Sequence, residues 1–245
     1  MPGFGLGWGL GRARRPLGAT SGLVPWTLDD IPVEYRGMLV DMDKPILNDG
    51  KVAALSNKWS ETLMFSQADP LYQVPAGTSK GFPALLFPKT PNALGLTPTT
   101  SFAPVWWLFV ADYPTNPFNT PSFILDGGSS NRVFGNTNAD GFNEGNSWTS
   151  KSNRNAAGYA DKLLPLDLSS FQIRGASISA PWCLGRRGTN LQSWQDAIYH
   201  IMALNIEPVG DLLARIEGRV HWDFRIQSSL PLGHPFRDAP PMKPT

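Results

Sequence analysis

Cysteine is almost absent from this chain. Cys183 is alone among 245 residues, so no intrachain disulfide can staple the fold, and thiol-rich metal sites are excluded. Glutamate is scarce as well: Glu34, Glu61, Glu144, Glu207 and Glu217 are all there are. No two share a short strand, as the carboxylate pair of retaining glycoside hydrolysis commonly does. There is no Gly-x-Ser-x-Gly elbow, no phosphate-cradling glycine loop, and no base near Cys183 in sequence. The net charge is only +1. Its arginines are scattered rather than striped, which leaves no electrostatic footprint for nucleic acid. No apolar run has the length of a transmembrane helix. Glycine alternates through the only apolar stretch at the N-terminus, so a secretory h-region is missing. The expectation is a chain that is not an enzyme, inserts in no membrane and binds no nucleic acid.

Turn formers are abundant, with 24 glycines and 23 prolines. Between these breaks the apolar runs are short: 33–42, 84–87, 105–113, 122–125, 171–178 and 197–204. Short runs punctuated this often predict an all-β domain, and no internal repeat is visible. Val105 to Tyr113 alternates too little for a strand with one wet face and reads as a central strand buried on both sides. Near the end the pattern changes. Leu212, Leu213, Ile216, Val220 and Phe224 recur at spacings of three and four, which predicts a helix over about 209–225 that lays one apolar stripe on the domain. The prolines that follow forbid more helix and predict an extended tail.

Two segments carry possible binding chemistry. In the first, Phe4, Leu6, Trp8 and Leu10 alternate with glycine, and Arg12, Arg14 and Arg15 follow. An extended chain would place the four apolar side chains on one edge, so residues 1–25 read as a disordered leader or as an arm ordered only on a partner. The second, residues 126–148, is rich in Asn, Asp and Gly. Asn138, Asp140, Asn143 and Trp148 combine amide and carboxylate groups with an aromatic face, as a glycan site requires. Asn136, Asn138 and Asp140 also copy the first half of a calcium loop, although Ser147 occupies the position of the bidentate Glu. A solvated hairpin tip or a subunit contact is the plainer reading of this stretch. Of the histidines, His200 lies in an apolar run and reads as a hydrogen-bonded core residue. His221 lies one turn after Glu217, within reach of an i, i+4 contact.

The order of features from Ile216 to Pro241 resembles the ending of the concanavalin A-like, laminin G-like jelly-roll domains found in tailed-phage virion proteins. There a helix reading Ile-Glu-Gly-Tyr-Leu-Ala-x-Lys-Trp-Gly-Leu precedes Leu-Pro-x-x-His-Pro-Tyr and a Pro-Pro close. Ile216-Glu217-Gly218, Leu230-Pro231, His234-Pro235-Phe236 and Pro240-Pro241 match, while Arg219, Phe224 and Arg225 stand where that family has an aromatic, Trp and Gly. Leu39 to Asp43, Asn48 to Gly50, Trp59, Gln67-Ala68, Pro70 to Tyr72 and Phe82 to Phe87 similarly follow the order of its opening half. Asp41 and Asp43 coincide with a structural Asp pair of the family, so a structural role is expected for them.

The resemblance implies one jelly-roll sandwich over residues 26–245, on a virion protein that leaves its host by lysis. It also implies a spike, tail-fibre or tail-associated adhesin that meets host-surface polysaccharide. On this reading the arm docks on other virion proteins, the chain is a homo-oligomer, and no cofactor is needed unless calcium enters the 126–148 loop. A capsid decoration or cement protein that binds only other virion proteins is the alternative.

Overall fold

A computed structural model describes residues 22–88, 94–112, 122–127, 133–136, 142–143, 153–154, 157–158, 168–174, 179–185 and 193–245. The first half supplies β1 (Leu23–Pro25), β2 (Arg36–Leu39), β3 (Ile46–Asn48), β4 (Lys51–Ser56), β5 (Leu63–Ser66), β6 (Val74–Ser79), β7 (Phe82–Leu86), β8 (Thr97–Pro98) and β9 (Trp106–Asp112). The second half adds β10 (Ser122–Asp126), β11 (Val133–Asn136), β12 (Phe142–Asn143), β13 (Asn153–Arg154), β14 (Ala157–Gly158), β15 (Leu168–Arg174), β16 (Cys183–Leu184), β17 (Ala197–Leu204) and β18 (Met242–Pro244). The α-helix among these residues, α1, spans Gly210–Asp223. The all-β expectation therefore holds. The large antiparallel sheet runs β14-β13-β15-β9-β17-β7-β6-β4-β5-β8, and a smaller one runs β12-β11-β10-β16. The bridge between Leu96 and Leu184 brings the far end of the large sheet against β16.

The centre is β15-β9-β17, and β9 is buried along its whole length, as its unbroken apolar run requires. Its side chains alternate between two cores: Trp107, Phe109 and Ala111 face the interior of the curled sheet, where Val52, Leu55, Phe65 and Leu125 meet them. Trp106, Leu108 and Val110 face the helix side, with Met202, Leu204, Ile216 and Val220. Ile216 and Val220 are fully buried, and Leu212, Leu213 and Phe224 pack around them half-buried. The predicted stripe is thus the face that docks α1. Each fully buried aliphatic side chain contributes about 1.5–3 kcal/mol, enough to hold a helix whose Val209 N-cap has no side-chain bond.

Two local expectations need correction. The run from Val33 is not strand from its start: Tyr35 donates to the Pro32 carbonyl at 3.0 Å, closing a 3-10 turn over Val33–Tyr35, and pairing begins only at Arg36. Pro32 fixes the entry to that turn, and it leaves Val33 in solvent. The tail is also not simply extended. It passes through a 3-10 turn at Gln227–Ser229 before β18 pairs antiparallel with β1, Leu23 opposite Pro244. Past the Phe224 C-cap of α1, Arg225 occupies the left-handed region at φ 58°, and Ile226 donates to the His221 carbonyl at 2.9 Å. That is the glycine position of a Schellman cap, and it is where the family pattern has Gly.

Candidate functional site

On α1, Glu217 and His221 lie one turn apart and face β15, whose Ser170 and Gln172 point to the same side because strand side chains alternate. Gln172 Nε2 donates to Glu217 Oε1 at 2.6 Å, and the other carboxylate oxygen, Oε2, lies 3.2 Å from His234 Nε2. The Phe236 amide donates to His234 Nδ1 at 3.2 Å, so His234 carries its proton on Nε2 and donates it to Glu217. His221 reaches Glu217 too, but through the backbone: its Nδ1–H donates to the Glu217 carbonyl at 2.7 Å. Its Nε2 then accepts from Ser170 Oγ at 3.2 Å. Burial holds the His221 pKa down to about 4, which keeps the ring neutral as these two bonds require.

A serine hydroxyl on a histidine that is oriented by an oxygen has the outline of a nucleophile and its base. Here both Ser170 and His221 are fully buried under α1, so no substrate reaches the hydroxyl. The group is a polar seam between helix and sheet. The motif residues of the chain end close over it. A Cβ on Gly218 would stand 2.5 Å from Phe236 Cβ, so only glycine lets the tail lie this close. Trp222 Nε1 donates to the Phe236 carbonyl at 2.8 Å, and Trp26 N donates to Pro241 O at 3.0 Å. Ile216-Glu217-Gly218, His234-Pro235-Phe236 and Pro240-Pro241 are therefore parts of one clasp, which also brings Gly22 beside Thr245.

A second cluster surrounds β17. A register shift between Ile198 and His200 marks a bulge opposite β9, and it puts both Tyr199 and His200 on the helix side, where each ring meets Phe224. Tyr199 donates to Asp112 Oδ2 at 2.6 Å, and Lys80 Nζ donates to Oδ1 of the same carboxylate at 2.5 Å. Burial first, then the bond to Asp112, raises the Tyr199 pKa and keeps the phenol protonated. Lys80 reaches Asp112 from the two-residue turn between β6 and β7, where Lys80 and Gly81 both have positive φ. His200 was expected to be hydrogen-bonded. It is 9% exposed, and its Nε2 has no partner among the described residues. Burial brings its pKa down to about 4, so it is neutral near pH 7.

His200 lines a cavity of about 230 Å³ together with Tyr199, Phe82, Phe224, Asp41, Asp43 and Lys58. Asp41 does serve the turn, since its Oδ1 accepts from the Asp43 amide at 3.1 Å, yet both aspartates also border this cavity. Beside it lies a second hollow of about 400 Å³, lined by Asp41, Lys44, Ser56, Asn57, Lys58 and Glu61. The two share Asp41 and Lys58.

Of the glycan candidates, Asn138, Asp140 and Trp148 lie outside the described residues, as do the arm residues Phe4, Leu6, Trp8, Leu10, Arg12, Arg14 and Arg15. Asn143 falls in β12, paired opposite Gly135 of β11, and Asn136, the first calcium candidate, closes β11 opposite Phe142. Among the described residues no group of three or more His, Cys, Asp or Glu is gathered for a metal ion. Sequence reasoning missed Ser170, Gln172, Tyr199, Phe82 and Lys58. Their neighbours come from distant segments, and the bulge that turns His200 toward Phe224 has no residue signature. No protein-family model, no curated protein and no solved structure matches the chain.

Proposed function

We propose that this chain is a phage-type virion protein in which a concanavalin A-like jelly roll is displayed on the particle and binds a host-surface glycan. One observation carries the reading. The residues through which the sequence resembles those domains, Gly218, Glu217, His234, Phe236 and Pro241, meet in a single clasp of α1, tail and N-terminal strand. Their meeting in one place supports the reading. The seam beneath the clasp spends its serine and histidines on structure, which favours a binding role over a catalytic one. At the same clasp Gly22 pairs with Thr245, so an N-terminal arm anchored to other virion proteins would leave from one corner and keep the rest of the surface available.

The test is retention of the full chain on immobilised cell-wall polysaccharide of the host, with elution by soluble polysaccharide. Retention that free polysaccharide reverses is the expected result. A chain that enters particles but is retained on no polysaccharide is a capsid decoration protein, and the glycan reading then fails.

A further inference from the structure

The cavity beside His200 has three properties that together describe an occupant. Its inner wall is aromatic and apolar, built from Phe82, Phe224, Tyr199 and Leu39. The rings of Phe82 and Phe224 stand 5.1 Å apart at 54°, so they form an angled corner rather than a filled stack. Among its lining residues is the buried, neutral imidazole of His200. Its rim is nearly balanced in charge: Asp41, Asp43 and Glu61 stand with Lys44 and Lys58 around the two joined hollows, and none of the five is in an ion pair among the described residues. The remaining lining carboxylate, Asp223, is already held by Arg219.

A strongly charged ligand would find no matching excess on this rim. A purely apolar one would leave the rim groups unpaired. A pyranose ring meets all three conditions. Its C–H face packs on aromatic carbon, and each hydroxyl both donates and accepts. Hydroxyls can therefore serve a carboxylate and an ammonium at once. The volume, about 230 Å³, is below the range of roughly 300–1,000 Å³ usual for drug-sized ligands, and it suits one ring. The adjoining polar hollow would take the next unit of a chain.

We propose that this cavity, formed by Phe82, Tyr199, His200 and Phe224 with Asp43 and Lys58 at its rim, binds one neutral hexopyranose unit of a glycan. The inference rests on the glycan-binding reading above and moves its centre from the 126–148 segment to the corner between β7, β17 and the end of α1. For a single sugar ring the affinity should be on the order of millimolar.

The test uses the full chain with methyl hexopyranosides of the gluco, galacto and manno series, followed by saturation-transfer NMR, beside the polysaccharide retention assay. Wild-type protein should transfer saturation to the ring protons of at least one of them. An Asp43→Ala/Lys58→Ala double variant should weaken that sugar at least tenfold at an unchanged melting temperature, since both side chains are exposed. Failure to bind any hexopyranoside overturns the inference, as does a double variant that binds as wild type. Should polysaccharide retention persist in the double variant, the glycan reading stands and this cavity is not its site. Sugar in the cavity without retention on any polysaccharide upholds the cavity and removes the adhesin reading.

Discussion

His234 donates to the carboxylate of Glu217 at 3.2 Å, across a gap of seventeen residues, with both side chains almost wholly buried. This bond ties the tail to the helix, and the Gln172 amide on the other carboxylate oxygen ties the helix to β15. Removing either partner leaves a buried polar group unpaired. Since hydrogen bonds to a charged group contribute about 1.5–3 kcal/mol each, Glu217→Ala should lose roughly 3 kcal/mol or more in urea denaturation. A double-mutant cycle with His234→Ala should return a coupling of about 1 kcal/mol or more, and a coupling near zero would show that the contact does not hold the clasp.

Gly218 and Gly233 give a paired test of the same clasp. A methyl group on Gly218 collides with Phe236 Cβ, whereas one on Gly233 meets nothing within 4 Å. Gly218→Ala should be destabilised by about 1–3 kcal/mol, even though alanine is the better helix former. Gly233→Ala should stay within about 0.5 kcal/mol of wild type. Equal melting temperatures for the two variants would contradict the placement of the tail.

Arg225 pays a conformational cost at φ 58° that glycine would not. Its guanidinium lies 5.7 Å from the centre of the Phe82 ring, a contact that returns about 0.5–1 kcal/mol at an exposed site. Arg225→Gly should therefore be neutral to stabilising by about 1 kcal/mol in thermal denaturation. A clear loss would mean that the Phe82 contact outweighs the backbone strain.

Stability should depend on pH through His200 and His221. Both have folded pKa values lowered to about 4 by burial, against about 6.5 when unfolded. Between these values the unfolded chain binds more protons than the folded one, so stability rises with pH across that window. Their contribution is fully present above about pH 6.5 and is lost as pH falls toward about 4, by an amount on the order of 3 kcal/mol for each ring. Urea midpoints measured between about pH 7 and pH 4.5 should fall steadily, with a smaller slope in His200→Leu. A flat profile would contradict the burial of both rings.

Deleting residues 1–15 should leave the unfolding transition of the remaining domain unchanged, because β1 begins only at Leu23 and its partner strand is Met242–Pro244. The truncated chain should also fail to enter particles. Normal incorporation would rule out the arm as the anchor.

Elements governed by their own periodicity were legible in the sequence. The run Ala197 to Leu204 is β17 residue for residue, and the stripe from Leu212 to Phe224 is the docking face of α1. Elements that depend on distant partners were not. β6 and the β1–β18 pair contain proline, glycine or polar residues in place of an apolar run, and register with a neighbour is what makes them strands. The candidate site divides the same way. Glu217 and His234 stood out through their motif, whereas Gln172 and Ser170 become part of the seam only because β15 lies beneath α1. His200 read as a satisfied core residue, whereas its Nε2 has no partner among the described residues.

Display of the domain on a virus particle is the central claim. Immunogold labelling of intact, gradient-purified particles with antibody raised against the full chain measures this directly. Gold on the exterior of the particles is the predicted result, and particles that carry no label, with the chain remaining in the soluble fraction of the lysate, would contradict it.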